Sequence, residues 1–563
     1  MRLLKLFAAL SLVVGCTNPV LSAEQATKGT VSAADPRAAA AGVEMLRKGG
    51  TAADAAFATL LALNVVEPQS SGIGGGGYLV YSPGGGAPVT FDGREIAPHA
   101  ATGTWFFKNG QPMDIREAIP GGKSVGVPGN IRMMALAHQR YGKLPWADLF
   151  QPAIRLARYG FKITPRLYQM LDKYRETGAL SAEGREIFYG TDGNPLPVGT
   201  LVKNLAFARF LDGIATRGPD SFYVGPNAQA IVATVNASPR NPSQMAPGDI
   251  ATYEAKPRMS VCGTYRGYRI CGMGPSSSGG TTVFETLKQL ERFDLSALGP
   301  NSAAAWHLIA ESMRLAYADR EQYLGDADYV SVPVAGLVDP TYLASRSALI
   351  SPDRTISNVT AGTPPGAPKV TCAAGPVEER GTSHFVAVDS AGNVASETST
   401  IESPFGSGLM VSGYYLNNEL TDFNLAPDKN GCPTANRVEG GKRPRSSMSP
   451  TIVWAPDGHV RLAVGAAGGA TIPAQVLKAI IGVIDWHLTA QQAIALPTIF
   501  APGGDTVFVE RGTYLEALAP QLQALGHRVQ IRDPSFKANA IEWVNGRWVG
   551  AADPRSEGAA LAE

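Results

Sequence analysis

Gly381-Thr382-Ser383-His384-Phe385-Val386-Ala387-Val388-Asp389 is the stretch on which the reading of this chain turns. It is followed by Gly392-Asn393, a hairpin-turn pair, and by a return run from Val394 through Thr400 to Ile401. Two short β-forming runs around such a turn predict a β-hairpin. The hairpin starts abruptly, because residues 356–380 are rich in Pro, Thr and Gly and read as an exposed connector. A hydroxyl residue placed directly after Gly at the end of a flexible connector has a chemical option that most strand starts lack. Its oxygen can attack the preceding carbonyl, and hydrolysis of the resulting ester frees Thr382 as a new N-terminus. An α-amine titrates at about 7.7–8.0, so it is partly neutral near pH 7 and can serve as general base for its own hydroxyl. Most Gly-Thr pairs only start strands, so this pair by itself assigns nothing.

The rest of the chain sets the bounds. It has 563 residues, 44% of them hydrophobic, enough to bury a large core and too apolar for a disordered polypeptide. Its 49 Lys and Arg balance 48 Asp and Glu, which leaves no global basic field for nucleic acid and points to small-molecule partners. The opening Met1-Arg-Leu-Leu-Lys5 and the apolar run Leu6 to Val14 read as an export signal over 1–23, too short to span a bilayer. Val13-Val14-Gly15 before Cys16 also fits a bacterial lipobox, which would end the signal at 15 and lipidate Cys16; the alternative is ordinary cleavage near Ala23, where Leu21 is a poor fit. The expected location is therefore the periplasm, or the outer membrane through a lipid anchor. Cys262, Cys271, Cys372 and Cys432 remain, an even number suited to an oxidising compartment. Cys262 and Cys271 flank two short runs around a Gly-containing turn and either meet across a hairpin or stay as buried free thiols. Seven His, none at ligand spacing with another His or a Cys, predict no metal site, and no cofactor is indicated.

Along the chain, Asp35-Pro36 opens a helical pattern to Gly49-Gly50, and Thr51 caps a second apolar helix to about Val66. Ser70 to Gly77 contains a G-x-G-x-x-G match, but a helix precedes it and a strand follows. That order is the reverse of a dinucleotide site, so close backbone packing or pocket lining explains the glycines better. Residues 143–241 read as amphipathic helices with Pro breaks. Gly274-Pro-Ser-Ser-Ser-Gly-Gly280 leads into a helix from Thr281 and reads mainly as a cap, with an anion site as the alternative.

Together these segments resemble the γ-glutamyltranspeptidase (glutathione hydrolase) family of N-terminal nucleophile hydrolases, from Asp35-Pro36 to Ala552-Asp553-Pro554-Arg555-Ser556. The most specific parts are Ser71 to Gly77, Asp92-Gly-Arg94-Glu-Ile-Ala-Pro98, Ala316 to Asp326, Thr382-Ser-His384, Leu416 to Phe423, and Arg443-Pro-Arg-Ser-Ser-Met-Ser-Pro450. The resemblance implies an α/β fold, a four-layer αββα sandwich. It implies a precursor cut between Gly381 and Thr382 into a large subunit, 24–381, and a small subunit, 382–563, which stay together as one domain. Thr382 matches the nucleophile and Thr400 a supporting threonine. Arg94, Ser446 and Ser447 match groups that bind the substrate α-carboxylate, and Glu419 and Asp422 match groups that hold its α-ammonium. Gly468-Gly469 matches the backbone oxyanion hole.

The implied activity is hydrolysis of the γ-amide of glutathione or transfer of its γ-glutamyl group to amino-acid or peptide acceptors. The alternatives are a glutaryl or cephalosporin acylase of the same fold, and a periplasmic γ-glutamyl-peptide binding protein that never matures. Glu402 stands where many microbial relatives carry an amide, so that three carboxylates would face one ammonium and one of them should titrate high. Arg445 is a candidate partner to relieve Glu402, unless Glu402 simply faces solvent. The stretch between Asp422 and Ser446 should form a lid, and Cys432 in it has a candidate disulfide partner in Cys372 of the connector.

Overall fold

The computed structural model describes residues 28–369, 371–373, 381–533 and 537–563; the leader with Cys16 and the last residues of the connector lie outside them. Two large sheets carry the fold. Their strands are, in chain order, β1 (Thr30–Ala33), β2 (Gly76–Ser82), β3 (Val89–Asp92), β4 (Lys256–Arg258), β5 (Val261–Tyr265), β6 (Tyr268–Gly272), β7 (Ser383–Val388), β8 (Val394–Thr400), β9 (Thr451–Trp454), β10 (Val460–Ala467), β11 (Lys537–Val544), β12 (Arg547–Ala552) and β13 (Ala559–Ala562). The first sheet runs β13-β1-β7-β8-β2-β3-β4 and the second β12-β11-β10-β9-β6-β5, every pairing antiparallel.

The sheets stack face to face, β7 and β8 against β10. Helices α1 (Pro36–Arg47) and α2 (Ala52–Val66) cover the first sheet, and α3 (Gly279–Leu290) and α4 (Ile472–Ile484) cover the second. The result is the expected αββα sandwich, with one apolar cluster under α1 and α2 and a second between the sheets and under the other helices. An element sealed on both sides should be apolar all round. The α2 sequence, Ala52 to Val66, is apolar apart from the hydrogen-bonded Asp54, Thr59 and Asn64 and is buried at every position. Thr51 and Asp54 start it with a reciprocal capping box.

The hairpin read from Thr382 onward forms as expected. Its register pairs Ser383 with Ser399 and His384 with Thr398, and β8 then pairs Thr400 with Gly76 and Ser399 with Gly77. The glycine run before β2 serves close packing. A Cβ on Gly75 would lie 2.0 Å from the Thr400 carbonyl oxygen, and one on Gly74 equally close to that of Tyr415. No described helix is long and apolar enough to cross a membrane.

Both expected cysteine pairs are disulfides. Cys262–Cys271 closes the β5–β6 hairpin, so the free-thiol alternative is set aside. Cys372–Cys432 ties the connector to a short hairpin, Asp428–Lys429 with Cys432–Pro433, in the segment read as a lid. The Cys372 N–H also donates to the Pro433 carbonyl at 3.2 Å.

Candidate active site

The first and second sheets present strand ends to one small cleft, lined by Arg94, Gly381, Thr382, Thr400, Glu402, Glu419, Asp422, Ser446 and Met448. Thr382 precedes β7 and is 5% exposed. Its φ of 121° is a conformation that L residues rarely adopt. Gly381 before it is wedged in place, since a Cβ there would stand 1.7 Å from the Glu402 carbonyl oxygen. The Thr382 hydroxyl donates to Thr400 Oγ1 at 3.2 Å, and that oxygen also accepts the Glu402 N–H at 2.8 Å. On the backbone side, the Ser70 carbonyl accepts the N–H groups of Thr382 (3.2 Å) and Ile401 (3.3 Å).

Arg94 follows β3 and is fixed from both directions. Its N–H is received by Asp92 at 2.9 Å, while Nε and Nη2 donate to the carbonyls of Pro444 (3.1 Å) and Arg445 (2.9 Å). Its remaining reach goes to carboxylates: Nη1 to Glu419, and Nη2 to Asp422 at 2.5 Å. All three side chains are at most 3% exposed. Burial pushes the Glu419 carboxyl well above the usual range, with Arg94 opposing and Glu95, Asp422 and Glu402 adding to the rise. Glu95 is likewise pushed up to about 7 by burial, against Arg94.

Glu402 is 3% exposed, so it does not face solvent. Its Oε2 accepts from the Ser403 hydroxyl at 2.5 Å and from the Asn418 amide. Arg445, the partner suggested for it, forks onto Glu321 instead, at 3.0 and 2.8 Å. The reason is tertiary: Arg445 Nη1 is drawn to the Arg320 carbonyl (3.1 Å), which puts its guanidinium beside the buried helix Ala303–Tyr323.

The serine pair divides. Ser446 lines the cleft, and its backbone is gripped by the Gly274–Gly280 turn, through Ser278 N–H and Oγ on the Ser446 carbonyl (2.8 and 2.7 Å) and the Ser276 carbonyl on the Ser446 N–H (3.1 Å). The turn read as a cap therefore also positions a cleft residue, and the helix after it begins at Gly279 rather than Thr281. Ser447 Oγ is not in the cleft lining and accepts from Arg320 Nη2 at 2.6 Å. Arg320 and Glu321, quoted in a motif but given no role there, thus brace the serine segment; their helical setting gave no local sign of it. Gly468 and Gly469, with φ of 130° and 58°, cap the end of β10 and stand outside the cleft lining. They lie on the nucleophile's side of the sandwich, because Ala467 pairs with Lys537, whose ammonium reaches Ser383.

The segment between Asp422 and Ser446 closes at its base through Asn436, which donates to the Asp422 carbonyl (2.7 Å) and receives the Arg445 N–H (2.8 Å). Elsewhere, tertiary structure gathers His307, Glu311 and His527 so that potential ligand atoms lie within 4.8 Å of one another, which spacing along the chain did not reveal. The two rings hydrogen-bond at 2.8 Å, His307 also binds the Ser351 carbonyl, and Arg314 occupies Glu311.

Comparison with known proteins covers nearly the whole chain. Glutathione hydrolase proenzyme of Bacillus subtilis (strain 168) is 36% identical over 546 residues, 95% of this chain and 91% of that one. Cephalosporin acylase from Bacillus halodurans superposes with a TM-score of 0.84 at 26% identity, over 98% of this chain and 99% of that one. Helicobacter pylori gamma-glutamyltranspeptidase superposes with a TM-score of 0.56 at 36% identity, over 58% of this chain and 93% of the solved one. Since the model of the gamma-glutamyltranspeptidase family also matches residues 38–563, which hold every residue of the cleft, this chain belongs to that family.

Proposed function

We propose that this protein is a self-processing γ-glutamyltransferase and glutathione hydrolase. The observation that carries the reading is the Thr382 hydroxyl, hydrogen-bonded to Thr400 at the end of a wedged Gly381–Thr382 peptide, in one cleft with Arg94, Glu419 and Asp422. In maturation, Thr382 Oγ1 attacks the Gly381 carbonyl carbon, the C–N bond breaks, and the hydroxyl proton passes to the departing nitrogen. Water then hydrolyses the ester, leaving Gly381 with a carboxylate and Thr382 with a free α-amine and its hydroxyl restored. In turnover the amine takes the hydroxyl proton as Oγ1 attacks the γ-carbonyl, then gives it to the leaving amine; water or an acceptor amine releases the acyl group. The N–H groups of Gly468 and Gly469 are the candidate donors to the oxyanion.

Arg94 and its two carboxylates read as an ion cluster built to be exchanged. A γ-glutamyl group brings an α-carboxylate that competes for the guanidinium and an α-ammonium that compensates Glu419, Asp422 and Glu402. Sequence similarity to a glutathione hydrolase proenzyme supports both the substrate class and the processing. An acylase is the second reading, supported by the 98% coverage by cephalosporin acylase. It gives no use for an ammonium-binding carboxylate set, because an acyl chain without an ammonium brings no positive charge to Glu419, Asp422 and Glu402. An export signal, either ending at 15 with lipidation of Cys16 or cleaved near Ala23, and a periplasmic or outer-membrane location complete the proposal.

The test is turnover of a γ-glutamyl anilide, with and without a dipeptide acceptor, beside turnover of a glutaryl amide. Anilide release stimulated by the dipeptide is expected; preference for the glutaryl amide would favour the acylase. Because Cys372 precedes the cut and Cys432 follows it, the cut fragments should migrate as one species on a non-reducing gel and as two after reduction. Two bands without reductant would show that this disulfide does not join them.

A further inference from the structure

The sandwich holds a second buried charged group beside Thr382, on the side away from the cleft. Lys537 opens β11, and its side chain is 1% exposed. Its ammonium donates to Glu67 Oε2 at 2.8 Å, Ser383 Oγ at 3.1 Å and Ser70 Oγ at 3.5 Å. Ser383 Oγ itself donates to Glu67 Oε2 at 3.0 Å. Ser383 is the residue after Thr382, and Ser70 is the residue whose carbonyl accepts the Thr382 N–H. One cation thus grips both immediate supports of the nucleophile. The grip also crosses the cut, since Glu67 and Ser70 precede Gly381 whereas Ser383 and Lys537 follow it.

We propose that Lys537 is a positioning residue for Thr382, which aims the α-amine formed by the cut and keeps that amine in its neutral form. The inference rests on the self-processing reading given above. Before the cut, the Thr382 nitrogen is held by two neighbours in the chain; afterwards it is a terminal group free to rotate. An amine that donates to the Ser70 carbonyl keeps its lone pair for Oγ1, and Lys537 fixes Ser70 and Ser383 so that this arrangement persists. The charge balance works in the same direction. On the cleft side the amine shares the lining with Glu402, Glu419, Asp422 and Arg94, and the carboxylates among them favour an ammonium. On the other side, Glu67 is answered by both Lys537 and Arg166, whose Nε lies 3.6 Å from Glu67 Oε1, and the more remote Asp35 is bound by Arg37. Glu557 also stands there and accepts the Arg166 N–H at 2.9 Å, so the charges balance, and it is the nearness of Lys537 to Ser383 and Ser70 that opposes protonation of the amine. Burial lowers Lys537 itself to about 8, with Glu67 opposing, so it is charged below that pH, on the side where the amine is protonated.

A buried ion pair can also be mere packing, and an apolar replacement of such a pair is often tolerated. The two roles separate in the pH profile. Purified full-length Lys537→Met and Lys537→Arg are compared with the natural protein for extent of cutting on a reducing gel, thermal midpoint, and kcat and KM for a γ-glutamyl anilide across pH 5 to 9. Removing the cation raises the amine's pKa, so the acidic limb of kcat/KM should move to higher pH, by roughly half to one unit in the methionine variant. Its kcat should fall about tenfold with KM changed less than about twofold, and arginine should restore the limb. A methionine variant with the natural acidic limb and kcat would overturn the proposal, as would an arginine variant shifted as far as methionine. Should the methionine variant not fold, Ser383→Ala keeps the Lys537–Glu67 pair and loses the link to the nucleophile strand. A kcat drop of about threefold at an unchanged thermal midpoint is then expected, and an unchanged kcat would refute it. Thr382→Ala serves as the control, because cutting or turnover in that variant would strike the self-processing reading and not the role of Lys537.

Discussion

The β7–β8 hairpin has two ends, built on opposite principles. At the turn end, Asp389 gathers the loop onto itself: it accepts from the N–H groups of Ala391 and Asn393, each at 3.0 Å, and from the Asn393 amide at 2.7 Å. These three bonds stay within four residues, although Asp389 also accepts the Ala52 N–H from the start of α2 at 2.9 Å, and Gly392 supplies the left-handed turn with φ of 80°. At the Thr382 end almost every partner is remote. Glu67 with Ser70, Arg94, Glu419 and Lys537 come from four separate segments, and the backbone adopts positive φ at both Thr382 and Glu402. A turn closed by its own side chains can be changed at the scale of one hydrogen bond. An end held in an unfavourable conformation by surrounding contacts concentrates the chemistry, and substitutions there should act on reaction before they act on folding.

Substitutions at four positions test that contrast, from the largest expected effect downward. Thr382→Ala should remain one chain after reduction and turn over no γ-glutamyl anilide, while Thr382→Ser should still cut more slowly; appearance of the same two fragments in the alanine protein would break the assignment. Arg94→Ala comes next. Loss of a charge-assisted partner in a desolvated cleft costs about 2–4 kcal/mol, a roughly thirtyfold to thousandfold fall in kcat/KM, with the Gly381–Thr382 cut retained. Natural kinetics in that variant would remove Arg94 from substrate binding.

Glu402→Gln should raise KM by about three- to tenfold, the scale of one ordinary hydrogen bond. It should also move the acidic limb of kcat/KM to lower pH. The sign follows from Glu419: its pKa is raised by burial and by neighbouring carboxylates including Glu402, it must be anionic to receive an ammonium, and removing one neighbouring negative charge lets it ionise at lower pH. A pH profile and KM that both stay put would place Glu402 outside the binding set. The smallest effect belongs to the turn end. Asn393→Ala should cost about 1 kcal/mol of stability or less, read as a small shift in thermal midpoint, with cutting and kcat unchanged. A loss of cutting there would mean that the two hairpin ends are coupled.

The sequence by itself determined what depends on neighbours along the chain. The capping box at Thr51 and Asp54, the β5–β6 hairpin with its flanking cysteines, the β7–β8 hairpin and the turn at Gly392-Asn393 all rest on hydrogen bonds or spacings within a few residues. Motif resemblance added the cleft residues, and Arg94, Thr382, Thr400, Glu402, Glu419, Asp422 and Ser446 do come together. Only the tertiary structure decided how those charges pair. Arg94 meets Glu419 and Asp422 across more than 300 positions, Arg445 turns to Glu321 rather than Glu402, and Ser447 turns to Arg320 away from its neighbour Ser446. It also gathered His307, Glu311 and His527, and set Lys537 behind the nucleophile. Local hydrogen bonds are fixed by chain spacing, whereas a buried charge takes whichever opposite charge or dipole the packed sheets and helices bring within reach, and no pattern along the chain records that choice.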